Sequence, residues 1–277
     1  MDKKYLIVNA DDYNTDRERN LGIIEAAKNG IVTSTTILTN LPWDDHSLSE
    51  LKETFGKNIG VHLNLTKGTP LTRGLKSVTN RQGEFFGKKE IWRKAFFGTL
   101  DPVEIEDEFT AQIAYAKELG VVPTHIDGNN HVHVFPGIIG AAVRAAKRFG
   151  ITKVRLPAEK YISLKQYFQN GVAKKGLICL LSMKAAEVFR RNGLSFVDHF
   201  AGIQYPRLSN TASLHEFIQT LPDGTTELMC HPGYSSSSGN PFSSDDRTQE
   251  LESLTHPSVL QDMKDESITL ISYNDLK

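Results

Sequence analysis

Residues 123–137 read PTHIDGNNHVHVFPG, and His125, Asp127, Asn129, His131 and His133 fall on alternate positions. In a strand, a period of two would bring these five side chains to one face. A solvent-facing strand normally draws on Lys, Thr and Glu. Three histidines and an aspartate instead offer nitrogen and carboxylate donors to a metal ion or a reacting group. Three other stretches carry polar residues beside apolar runs: Asn9, Asp11 and Asp12 in LIVNADDY, His62 in GVHLNL, and His231 in ELMCHPGY. Each alone has a plain structural reading. Asp11 or Asp12 could cap the helix that follows, His62 could be a satisfied structural histidine, and His231 before Pro232 could order a turn. Together they suit a hydrolase that activates water at a metal, which needs two or three N/O ligands and an open position. One of two adjacent acids could bind the ion while the other takes the proton from water, and a separate histidine could protonate the leaving group.

Such residues work only if the fold brings them together. Residues 17–29 space Leu21, Ile24 and Ala27 as a helix ending at Gly30, and 102–119 place Phe109, Ile113, Ala116 and Leu119 on one stripe between Pro102 and Gly120. Further helices are expected over 137–149 and 173–192. Strands are expected at YLIVNA, IVTSTTILT, NIGVHLNLT, PTHID, KVRLP, GLSFVDHF, ELMCHPG and SITLISYN. Strands alternating with helices predict an α/β fold with a mostly parallel sheet, and this strand count favours a barrel or incomplete barrel. In such folds the chemistry gathers at the carboxyl ends of the strands. Residues 67–100 read as a loop excursion that could form a lid or partner surface, and SSSSGN (235–240) reads as a flexible loop beside His231. Asp245 or Arg247 could reach a substrate from the following stretch. Trp43, Phe85, Phe86 and Trp92 could stack on a bound ring but are expected in the core.

The chain of 277 residues is 39% hydrophobic and 23% charged, with a formal net charge of −1, so charge gives no reason to expect nucleic acid or an anionic membrane as partner. One domain spanning 1–277 is expected. The start, MDKKYLIVNADDY, lacks the pattern of a signal peptide, and no apolar run approaches the roughly 18 residues of a membrane helix. A cytoplasmic location is the expectation. Cys179 and Cys230 read as two buried thiols, with a disulfide as the alternative.

LIVNADDY, GIIEAAKNGIVTSTTILTN, GVHLNLT, PTHIDGNNHVHVFP and MCHPGY, in that order, make the chain resemble the YdjC family of carbohydrate deacetylases, nearly end to end. The resemblance implies a distorted or incomplete (β/α) barrel similar to NodB-type deacetylases, and removal of acetyl groups from N-acetylated mono- or oligosaccharides. It further implies a divalent metal and a homodimer. Magnesium is the first expectation, with zinc, manganese or cobalt as alternatives. Carried over, Asp11 is the general base, Asp12 and His62 are metal ligands, His231 protonates the leaving amine or steadies the oxyanion, and Arg155 orients the base. The family's third ligand, a histidine, falls at Asn129 here. An amide oxygen suits magnesium better than zinc. The site could therefore bind a harder ion more weakly, His131 could substitute, or the chain could have become a non-catalytic sugar-binding protein with a degraded metal site.

Overall fold

A computed structural model describes residues 3–159, 172–203, 206–235 and 244–276. Its centre is β1 (Lys4–Tyr13), flanked by β2 (Ser34–Ile37) and β6 (Gly224–Cys230). The order β4-β3-β2-β1-β6-β5 extends through β3 (Ile59–Leu63), β4 (Ile126–Gly128) and β5 (His199–Ala201), while β7 (Thr269–Ile271) pairs with the start of β1. These pairings are all parallel. Isolated parallel bridges join Ile126 to Val154, Lys153 to Ser195 and Glu159 to Phe200. The 153–159 segment thereby carries the curl from β4 toward β5, and the sheet forms a half-barrel.

Helices clothe the outside: α1 (Arg17–Asn29), α2 (Asp45–Phe55), α3 (Lys88–Phe96), α4 (Pro102–Glu118), α5 (Ile139–Arg148), α6 (Val172–Arg191), α7 (Thr211–Gln219), α8 (Asp245–Thr255) and α9 (Pro257–Asp265). Along β1, Leu6, Val8 and Ala10 join the large core between sheet and helices, whereas Ile7 packs with Val197 and Tyr273 in a second, inner cluster. A parallel sheet covered on both faces requires this continuous apolar run. Asn9 and Asp11 follow Ile7 on the inner face, so β1 delivers polar groups to the barrel interior at its carboxyl end.

Several local expectations change. Neither Asp11 nor Asp12 caps α1. Asp16 does, its carboxylate accepting the Arg19 N–H at 2.8 Å. The alternating run is not one strand. β4 stops at Gly128, and Asn129–Val134 coil into 3-10 turns in which Asn130 and His131 take the left-handed region, with φ of 55° and 59°. Gly128 permits this fold-back, since a Cβ there would lie 2.6 Å from His133 Nδ1. The period of two therefore ends at Gly128, and the five polar residues do not share a face. The 67–100 excursion includes an antiparallel bridge between Thr79 and Phe85 as well as α3. Phe85 is buried, and Trp43, Phe86 and Trp92 pack against the core. Both cysteines are free, Cys230 buried and Cys179 half-buried. Residues 236–240 of the SSSSGN stretch lie outside the described residues. Among the described residues no helix is long and apolar enough to cross a membrane.

Two histidines of the run belong to the core. The His125 ring stacks on Tyr273 with centroids 3.7 Å apart, and the His133 ring lies parallel to that of Phe189 with Nε2 2.9 Å from the Arg155 carbonyl oxygen. Burial pushes His125 down to about 3 and His133 to about 4. The folded state thus holds both rings neutral, while the unfolded chain takes up protons near the ordinary histidine value of about 6.5. Their contribution to stability is complete above that value and is lost as pH falls toward 3 to 4. Denaturant unfolding between pH 6 and 4.5 should lose roughly 1 kcal/mol per pH unit for each ring. His125→Phe, which preserves the stack, should remove one ring's share. An unchanged slope in that variant would refute the assignment.

Candidate active site

At the carboxyl end of β1 the register with β2 shifts between Ala10 and Tyr13, and Asp12 adopts a φ of 70°. In a regular strand, consecutive residues face opposite ways; a bulge with a left-handed residue re-aims them. Asp11 and Asp12 consequently both line one cavity of about 1000 Å³. His62, Asn129, Asn130, His131 and His231 line the same cavity. Arg155 is fully buried beneath its floor.

The floor is a charge cluster. The Arg155 guanidinium donates to both oxygens of Asp11, at 2.5 and 2.6 Å. It also meets Asp127 Oδ2 at 2.8 Å and Glu227 Oε1 at 2.7 Å. Asn9 Nδ2 donates to Asp11 Oδ1 at 2.9 Å, and the Tyr273 hydroxyl donates to Glu227. Burial opposes ionisation of Asp11, but Arg155 outweighs it and holds the carboxyl well below its usual range. At Glu227 the balance reverses: burial dominates and raises its pKa.

Parallel register sets His62 beside Asp127 on the neighbouring strand. His62 Nδ1 lies 2.7 Å from Asp127 Oδ1, and the Thr36 hydroxyl donates to Asp127 Oδ2 at 3.0 Å. Despite burial, Asp127 lifts His62 to about 9. With Nδ1 committed to a carboxylate, Nε2 faces Asp12 Oδ1 at 3.4 Å. A carboxylate that fixes a ring nitrogen is the usual support of a metal-binding histidine. Two ligand atoms about 2.0–2.1 Å from one ion at a near-tetrahedral angle stand roughly 3.3 Å apart, so this pair has the spacing of adjacent corners of a metal site. One carboxylate and one imidazole, with waters completing the shell, also suit a hard divalent ion.

Asp11, His62 and Asp127 likewise place ligand atoms within 4.8 Å of one another. Their contacts argue for a different role. Both Asp11 oxygens and one Asp127 oxygen are held by a guanidinium, and the other Asp127 oxygen holds His62. An ion among them would have to displace a buried cation, so we read this trio as the frame that orients Asp11 and His62.

His231 stands on the loop after β6. Its N–H donates to Glu250 Oε1 at 2.6 Å, and its carbonyl accepts from Arg19 Nη1 at 3.2 Å. Gly22 and Gly233 let α1 approach this loop closely, since a Cβ on Gly22 would meet Gly233 Cα at 2.3 Å. Burial, with Arg247 nearby, lowers the His231 pKa. His131 has its Nδ1 buried without a hydrogen-bond partner, and burial keeps it well below its ordinary pKa. Arg247 lines the cavity and pairs with Glu250 at 2.6 Å, whereas Asp245 is not part of the lining.

The sequence offered Asp127 only as one donor among the alternating five, and gave no role to Thr36, Glu227 or Tyr273. One signal was present: ELMC is an apolar strand carrying a glutamate, and a buried acid needs a partner. A separate chain of contacts, Ser258 to His215 to Asp262, imitates a Ser–His–acid relay. It lacks free oxyanion donors, because the Ser258 N–H meets His256 Nδ1 and the next two N–H groups meet the His256 carbonyl. It is a helix cap joining α7 to α9.

Comparisons with known proteins agree with this architecture. Residues 5–265 match the sequence model of the YdjC-like proteins. A carbohydrate deacetylase of Clostridium beijerinckii is 31% identical over 98% of this chain and 99% of its own length. A human carbohydrate deacetylase is also 31% identical, over 98% of this chain and 90% of its own. A solved structure from Enterococcus faecalis V583, provisionally named for cellobiose-phosphate cleavage, superposes with a TM-score of 0.79 at 24% identity, covering 98% of each chain, and shows the fold to be shared.

Proposed function

Given that the chain belongs to the YdjC family, we propose that it hydrolyses the acetamide of an N-acetylated mono- or oligosaccharide at a divalent-ion site held by Asp12 and His62, with Asn129 standing where the family resemblance expects a third ligand. The observation that carries the reading is the Asp12–His62 pair, 3.4 Å apart at the cavity lining, with the other His62 nitrogen fixed by Asp127. When bound, a divalent ion would supply Lewis-acid polarisation and a more acidic water. Asp11 accepts the proton of the attacking water. Arg155 holds both Asp11 oxygens and fixes their direction. His231 gives a proton to the departing amine; burial lowers its pKa, which makes the imidazolium a stronger acid but a scarcer one near neutral pH. A cavity of about 1000 Å³ has room for an oligosaccharide.

A panel of N-acetylated mono- and oligosaccharides, assayed for acetate release with Mg, Mn, Co and Zn each added after chelation, tests the proposal. Release with at least one ion, and loss with chelator, is the expected result. Sugar binding without acetate release under every ion would favour the non-catalytic reading, which the histidine-to-asparagine difference at position 129 keeps open.

A further inference from the structure

Asn129 does not present its oxygen to the Asp12–His62 pair. Its Nδ2 donates to Asp12 Oδ1 at 3.0 Å, the same oxygen that faces His62 Nε2. Its Oδ1 is turned away and accepts from the Thr66 hydroxyl and from Asn130 Nδ2, each at 2.5 Å. Asn130 Nδ2 also reaches Thr66 Oγ1 at 3.0 Å, closing a three-residue ring of contacts. Asn130 enters this ring because it occupies the left-handed region with a φ of 55°. Amide orientation follows from the partners: two donors fix the oxygen and a carboxylate fixes the nitrogen.

We infer that Asn129 is a plug rather than a ligand: its amide N–H group occupies Asp12 in place of a cation, and Thr66 with Asn130 latches it there. The inference rests on the proposed metal site but concerns affinity, not turnover. An ion taking the Asp12 oxygen that faces His62 must break a hydrogen bond to a charged group, and rotating the amide to offer its oxygen would sacrifice two further bonds. The plug therefore weakens binding at a site that is otherwise assembled by Asp12, His62 and Asp127.

The test is the dissociation constant of Mn²⁺, read by electron paramagnetic resonance of the free ion, for the full chain and its variants. Asn129→Ala deletes plug and would-be ligand together, so the two roles predict opposite signs. Tightening by about 5–10-fold is expected. Thr66→Val releases one side of the latch and should tighten binding by a smaller factor, and Asn129→His should tighten it most. Binding in Asn129→Ala that is weaker than or equal to the original chain's, or absent from both, would overturn the inference. Asp12→Ala supplies the control for ions bound elsewhere. Failure of the deacetylase reading would appear as absent acetate release with Mn²⁺ binding intact, a separate outcome.

Discussion

Replacing Arg155 by methionine should cost about 3–5 kcal/mol of folding free energy, the usual penalty for stripping one partner from a buried ion cluster. The guanidinium is fully buried and meets Asp11, Asp127 and Glu227, each within 2.8 Å. Without it, Asp11 and Asp127 face each other across a floor that water cannot enter freely, with His62 as the nearest remaining cation. Both should recover part of their lost proton affinity, and stability should become steeply dependent on pH where they titrate. Arg155→Lys should restore little, because a single ammonium cannot bridge both Asp11 oxygens and still reach the other two acids. Urea unfolding of the three proteins decides the matter. A loss below about 1 kcal/mol in Arg155→Met would mean the cluster relaxes or hydrates far more readily than its packing implies.

The second large effect separates two neighbours in sequence. Asp11→Asn should lower the turnover number by about 10²–10⁴-fold, the range for removing a general base, while leaving Mn²⁺ affinity within a few-fold. Asp12→Ala should abolish Mn²⁺ binding. The contrast arises because the two carboxylates have different partners. Asp11 is held by Arg155 and Asn9, whereas Asp12 faces His62 Nε2 and the Asn129 amide. Asparagine keeps one acceptor oxygen for Arg155, so unfolding measurements are needed beside the kinetics to show that Asp11→Asn remains folded. Equal loss of ion affinity in both variants would place Asp11 among the ligands and return the Asp11–His62–Asp127 trio to consideration as the binding site.

Much of the architecture follows from local pattern. The apolar run into NADDY gives a strand buried on both faces and ending in polar residues, and β1 spans Lys4–Tyr13. Pro102 opening and Gly120 closing an amphipathic stripe give α4, with Asp101 as its cap. Strand–helix alternation gives a parallel sheet, because parallel strands need crossovers that helices supply. The placement of polar residues at strand ends followed from the same rule, and Asp11, Asp12, His62, Asn129, His131 and His231 all line one cavity.

What local pattern could not carry was any contact between residues far apart in the chain. Arg155 and Asp11 are 144 positions apart, and Glu227 lies 72 positions beyond Arg155. Their meeting depends on the order of strands around β1. The alternating run failed for a related reason. Period two describes a strand only while a neighbour strand supplies hydrogen bonds, and β4 loses that support after Gly128. There the chain coils, sending His133 into the core and Asn130 toward Thr66, while His125 before it already lies against Tyr273. Residue types and their order along the chain thus settle the fold class and which side chains are available for chemistry. Long-range packing settles which of them face the cavity, which are bound to one another beneath it, and which way the amide of Asn129 is turned, because those outcomes depend on partners that local sequence does not specify.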